Sequence, residues 1–241
     1  MNGSEMNGSE QGSEKNVEAD FQSSLIDAVR RADRTGANVL IDSWAAHYGY
    51  EHLFANVLEP VLEKIGEEWR ASETFSIAQA YVAAKIAEDV LVKAAEHKQL
   101  GQPPQPAKGT VVVGNIEEDF HGLGRRMVAT FLRSEGWTVE DLGNDVLPQD
   151  FVDKALETGA RVIGVSAMMM TTARNVRKLR EEIDRRGLTG RIQLAVGGAV
   201  FRLYPPLVQE VGGDGTAANA LDAPRLVAEL WAQSLKMEGN I

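Results

Sequence analysis

Cysteine is absent from this 241-residue chain. That absence excludes disulfides, thiolate nucleophiles, iron–sulfur clusters and cysteine-type zinc sites. It fits a reducing cytoplasm, the expected location. Histidine is scarce, with four residues at 47, 52, 97 and 121, so a nitrogen-ligated metal must draw on those few. Positive charge is in deficit: 25 Lys and Arg against 35 Asp and Glu leave a net charge of −10. A chain of that sign is not built to neutralise a phosphate backbone, so nucleic acid is not expected as a partner. No apolar run approaches the roughly 20 residues that a membrane helix needs. The polar, acidic start is no secretory signal, and no membrane partner is expected.

What remains is ordinary globular material, 44% hydrophobic and 25% charged, enough for one large domain or two small ones. Residues 1–20 open with a near-repeat, Met1-Asn-Gly-Ser-Glu then Met6-Asn-Gly-Ser-Glu. Large apolar side chains are nearly missing there, so a disordered acidic tail is expected. From 21 to 98 the apolar spacing is helical, in four stripes: Leu25 to Ala32, Val39 to His47 after a break at Gly36, Leu53 to Trp69, and Ile77 to Leu91. Four amphipathic helices predict a four-helix bundle, with Ser76 as an N-cap. Residues 99–109 hold three prolines and read as an extended linker.

The period changes from 110 to 241. Short apolar runs at 111–114, 137–142, 162–165 and 192–196 alternate with helical stretches near 122–135, 149–158, 172–186 and 221–235. Asp214-Gly-Thr216 adds a short fifth strand. Strand–helix alternation of this length predicts an α/β domain, a five-stranded parallel sheet of flavodoxin-like (Rossmann-like) order 2-1-3-4-5.

Ligands of such sheets bind beyond the C-terminal strand ends, at the switch point. There the chain carries Asp119-x-His121-x-x-Gly124 after strand 1, Ser166-x-Met168 after strand 3, and Gly197-Gly198 after strand 4. A histidine, a hydroxyl and glycines that admit a bulky group close to backbone thus gather at one edge. Asp119 is placed to hold the second ring nitrogen of His121, as an outer carboxylate does for a metal-bound histidine.

The three pieces are separated by 41 and 28 residues. In that register they resemble the cobalamin-binding signature, Asp-x-His-x-x-Gly, Ser-x-Leu and Gly-Gly. The helical segment resembles the cap of methionine synthase and of corrinoid methyl-carrier proteins. The resemblance implies cobalamin, as methylcobalamin or another corrinoid, with His121 as lower axial ligand to cobalt. It implies that Asp119 hydrogen-bonds His121 and that Ser166 meets the displaced base. Gly197 and Gly198 would leave room for the nucleotide tail, beside Met168. Gly124 would allow tight packing where the next helix begins, and Gly122 is the loop residue before it. Asp214 and Gly215 resemble a tail-contacting turn, and Trp69 and Phe75 are candidates to cover the upper face. Methyl carriers often read Asp-Ile-Gly-Lys-Asn after the histidine, whereas this chain reads Gly122-Leu-Gly-Arg125-Arg126.

Two readings of Met168-Met169-Met170 stand side by side, core filling and corrin contact. The basic run from Arg174 to Arg191 reads as a solvated helix face, and His47, His52 and His97 as bundle residues. The function implied is a methyl-carrier subunit that serves donor- and acceptor-side methyltransferases. The alternative is a cobalamin-dependent sensor. Light-responsive regulators with a similar cap place a Glu-His pair after their Trp, but here, after nine intervening residues, Trp69 is followed by Gln79-Ala80. A mutase small subunit usually lacks such a cap. A flavodoxin-like domain without corrinoid is the plainest alternative.

Overall fold

The computed structural model describes residues 6–71, 76–99 and 107–238. Phe75 and most of the expected linker lie outside them. The chain divides into two compact units, Met1–Glu96 and His97–Ile241.

In the first unit, α1 (Met6–Arg30) and α2 (Arg34–Leu53) lead into a single π-helical segment, Phe54–Leu58, then α3 (Glu59–Ala71) and α4 (Ile77–Gln99). The tail expected to be disordered is helical from Met6 onward. Helix propagation adds one hydrogen bond per residue once a nucleus exists, and the stripe at Leu25, Ile26 and Val29, all buried, supplies one. The break between α1 and α2 falls at Ala32, whose φ is 56°, rather than at Gly36. Asp33 caps α2 by accepting from the Gly36 N–H at 2.8 Å. A Cβ at Gly36 would lie 2.2 Å from that carboxylate, so the glycine serves the cap. Ser76 and Gln79 form a reciprocal capping box at the start of α4, at 3.2 and 2.7 Å.

The second unit opens with β1 (Thr110–Asn115), α5 (Leu123–Ser134), β2 (Thr138–Asp141) and α6 (Pro148–Thr158). It continues through β3 (Val162–Ser166), α7 (Met170–Ala173), α8 (Val176–Arg185), β4 (Gln193–Gly197), α9 (Ala199–Leu203), α10 (Leu207–Glu210) and α11 (Ala223–Glu238). The sheet is parallel, in the order β2-β1-β3-β4. Alternate strand residues feed two cores. Val112, Ile163, Val165, Leu194 and Val196 pack with Phe151, Leu179 and Ile183 of α6 and α8. Val111, Val113, Val162 and Ala195 pack with Ala129, Leu132, Val227 and Leu230 of α5 and α11. Helices on both faces explain why these runs are apolar throughout.

The expected fifth strand does not form. Only Gly215 bridges β4, opposite Ala195. Glycines at 212, 213 and 215 weaken an extended run by their backbone freedom, and the following residues turn away.

Candidate functional site

Register decides what meets at the strand ends. Asn115 pairs with Ser166, and Ser166 with Gly197. Three side-chain positions therefore stand in one row at the C-terminal edge, where β1 leads away on one side and β3 lies on the other. That is the switch point of the sheet.

Asp119 is the hub. It is fully buried, yet every direction around its carboxylate holds a donor. Oδ1 accepts from Asn115 Nδ2 and the His121 backbone N–H, both at 2.9 Å. Oδ2 accepts from the Met168 N–H at 2.7 Å and the Thr172 hydroxyl at 2.8 Å. Burial is the largest single influence and pushes its pKa up. The four hydrogen bonds together outweigh it and hold the carboxyl below its ordinary value. Asp119 is thus an anion at neutral pH that ties the loop after β1 to the loop after β3.

His121 is half exposed, and its Nδ1 lies 3.4 Å from Asp119 Oδ1. With Nδ1 on the carboxylate side, Nε2 is the nitrogen left for a ligand. Its fellow histidines are otherwise engaged: His47 Nδ1 lies 2.8 Å from the Ser43 carbonyl, and His52 lies between Glu18 and the Trp44 indole. The side chains of His97 and Trp69 lie outside the described residues. No group of three or more His, Asp or Glu is arranged to hold a bare metal ion, among the described residues. The donor set suits a metal that brings its other ligands with it.

The glycines divide by role. A Cβ at Gly197 or Gly124 would meet nothing within 4 Å. Gly197 thus borders open space. Gly124 also faces open space, so it does not serve the tight packing expected of it. Gly198 reverses its own expectation. At φ +118°, its Cβ would lie 1.9 Å from the Ala167 carbonyl oxygen, so glycine there lets two backbones touch instead of making room. Gly122 is close-packed, since its Cβ would fall 2.7 Å from Asn144 Oδ1.

The Ser166 hydroxyl has no hydrogen-bond partner among the described residues. Met168, Met169 and Phe120 are exposed at this edge, 47%, 47% and 65%, so Met168 and Met169 do not fill the core. Asp214 is not brought to the edge. Its carboxylate accepts from the Leu194 N–H at 2.6 Å and from Arg180, well back along β4. Gly215 packs against Leu226.

The basic run of α8 lies on a largely exposed face, as expected, and several of its cations are also ion-paired. Lys178 meets Glu117, Arg180 meets Asp214, and Arg186 meets Asp153 and Glu182. Arg185 and Arg186 hold the Glu182 carboxyl down to about 2.

Two polar residues of the site, Asn115 and Thr172, escaped the motif reading, and Arg125 was marked there only as a departure from the usual pattern. Asn115 and Thr172 are buried, as is Arg125. A faint signal existed for the first. An asparagine that ends an apolar, β-branched run must find partners once it is buried.

A half-exposed imidazole oriented by a buried anion, an unpartnered hydroxyl, two open glycines and exposed apolar side chains fit a large, partly apolar, metal-centred ligand. Residues 109–225 match the model of the B12 binding domain family. Over 126 residues the chain is 40% identical to dimethylamine corrinoid protein 3 of Methanosarcina acetivorans, 51% of this chain and 56% of that protein. The match thus spans little more than half of that relative. A corrinoid protein of Desulfitobacterium hafniense is 30% identical over 171 residues, 70% of this chain and 77% of its own length. The fold resembles that of the monomethylamine corrinoid protein of Methanosarcina barkeri, with a TM-score of 0.72 at 22% identity over 86% of this chain and 96% of that one.

Proposed function

The chain belongs to the corrinoid-protein family, and from that premise we propose that it holds cobalamin base-off with His121 as lower ligand and carries methyl groups between methyltransferase partners. The observation that carries the reading is the His121 ring at the switch point, its Nδ1 turned to a buried, ionised Asp119. That pairing orients the ring and leaves Nε2 as the nitrogen turned to a ligand. Bound there, the corrinoid supplies the metal centre that takes up and releases a methyl group.

This chain's own residues bind and orient. His121 ligates the metal. Asp119 holds the ring and, through the Met168 N–H and Thr172, keeps the crevice walls in register. The free Ser166 hydroxyl meets the displaced base, and Gly197 leaves passage for the nucleotide tail. Phe120, Met168 and Met169 offer apolar contact. Residues 21–98 are read as the four-helix cap domain and 99–109 as its linker. Donor- and acceptor-side methyltransferases are the partners, a role that the likeness to methylamine corrinoid proteins supports.

Cobalamin titration of the purified chain tests the reading. A base-off, His-on absorption spectrum is expected, and His121→Ala should abolish the His-on features and weaken binding. Unchanged spectrum and affinity in that variant would sink the ligation. Methyl transfer from the methylcobalamin-loaded chain to a thiol acceptor, with a methyltransferase added, tests the carrier role.

A further inference from the structure

Resting on that reading, we infer that Arg125 and Asn115 form a positioning brace that sets the His121 loop before any corrinoid arrives. Arg125 is the third residue of α5, where a surface arginine would be ordinary. It is 92% buried instead, only 8% exposed. Its Nε donates to Asn115 Oδ1 at 2.9 Å, and Nη1 pairs with Asp141 at the end of β2. Because the guanidinium claims the Asn115 oxygen, the Asn115 amide nitrogen must turn the other way. There Nδ2 donates to Asp119 Oδ1 at 2.9 Å and to the His121 carbonyl at 3.2 Å. A flipped amide would set donor against donor at Arg125 and acceptor against acceptor at Asp119. One planar cation on α5 thereby dictates the orientation of the carboxylate that faces the His121 ring.

The loop is fastened on its other flank as well. Asp145 N–H donates to the Asp119 carbonyl at 3.1 Å. Glu118 N–H donates to Asp145 Oδ1 at 2.7 Å, and Asn144 Nδ2 to the Phe120 carbonyl at 3.3 Å. Glu118 and Asp145 sit at φ 67° and 56°, left-handed conformations that non-glycine residues keep only where surroundings over-determine them. A lysine at 125 would be a point charge without a fork. It would reach Asp141 but would not address Asn115 in the same plane. Arginine at 125 and asparagine at 115 work as a pair.

Two measurements on the full chain test the brace. The first is cobalamin affinity and the His-on fraction by absorption titration of Arg125→Met, Asn115→Ala and the double variant. Outer partners of a metal-bound histidine are worth about ten- to hundredfold in affinity, and each single variant should lose that much. The double should lose no more than the worse single, because both act along one path. Arg125→Lys should keep the Asp141 pairing and the melting temperature yet fail to restore affinity. The second is amide hydrogen exchange of His121 and Met168 in the cofactor-free chain, which should speed up in every variant. Should Arg125→Met fail to fold, Asn115→Thr puts a strand-favouring β-branched residue in place of the amide. Folded variants with wild-type affinity and exchange would overturn the brace, as would strictly additive losses. If the wild-type chain took up no cobalamin, the proposed function would fall, and the exchange measurement would still decide the brace.

Discussion

Alanine at Gly198 should cost far more stability than alanine at Gly197, although the two are neighbours in one dipeptide. At Gly198 the new Cβ would lie 1.9 Å from the Ala167 carbonyl oxygen and 2.8 Å from its carbon, both backbone atoms. Real contacts of this kind stay beyond 3.0 Å, so the strand ends must part by more than 1 Å. That movement strains the 3.0 Å hydrogen bond from Ala167 N–H to the Gly197 carbonyl, worth about 1 kcal/mol. Holding alanine at φ +118° adds about 2 kcal/mol. The sum, about 3 kcal/mol, should lower the melting temperature by roughly 6–12 °C. Gly197→Ala meets empty space, so its stability should stay within about 0.5 kcal/mol of wild type, while cobalamin affinity falls because the methyl group occupies the ligand's room. Gly124→Ala should even gain up to about 1 kcal/mol from helix propensity. Thermal unfolding of the cofactor-free chain, followed by circular dichroism, reads the first quantity, and absorption titration the second. Equal melting of the Gly197 and Gly198 variants would refute the division of roles. So would wild-type cobalamin binding by Gly197→Ala.

Further outcomes follow from the same structure. Asp119→Asn sets an amide among four donors in a fully buried place, and should destabilise the chain by about 3 kcal/mol, read by urea denaturation. Because the folded state holds the Asp119 carboxyl below its ordinary value, the stabilisation is complete above about pH 3.9 and lost as pH falls through the lower folded value. Acid titration of the wild-type chain should therefore show a loss of stability in that window that a Thr172→Val variant shifts upward. Arg180→Ala should cost roughly 1–3 kcal/mol by removing bonds to the Gly212 carbonyl and Asp214 from a mostly covered side chain. Arg185→Ala, whose side chain is 68% exposed, should leave the melting temperature unchanged. If the two arginines behave alike, burial is not what sets their worth.

Legibility differed by the range of the forces involved. Strand positions were readable because a sheet covered on both faces demands unbroken β-branched runs, as in Val111-Val-Val and Val162-Ile. Strand order put the segments after β1, β3 and β4 at one edge, but the register that aligns Asn115, Ser166 and Gly197 was not readable. The partners of Asp119 were not readable. Thr172 stands six residues beyond Ser166, after three methionines, and Arg125 belongs to a type that is usually solvated. Their burial depends on how α5 and α7 settle against the sheet, which is tertiary information. Glycine roles were equally hidden: Gly197 and Gly198 look alike in a motif, and only distance separates a gap from a backbone contact. The helical run before residue 21 shows composition misleading where a neighbouring nucleus extends a helix.

The missing fifth strand leaves β4 with one side nearly bare, and bare strand edges invite pairing with other molecules. Here the outward donors are used up within the chain. Leu194 N–H is taken by the Asp214 carboxylate, and Val196 N–H by the Gly215 carbonyl. At the opposite side, β2 is only four residues long and carries Glu140 next to its end, and short, charged edges resist pairing. A single aspartate and one bridging residue thus occupy the donors that a neighbouring strand would otherwise take. Weakening Asp214 should show first as aggregation on concentration or storage, in a protein whose cofactor chemistry is still intact.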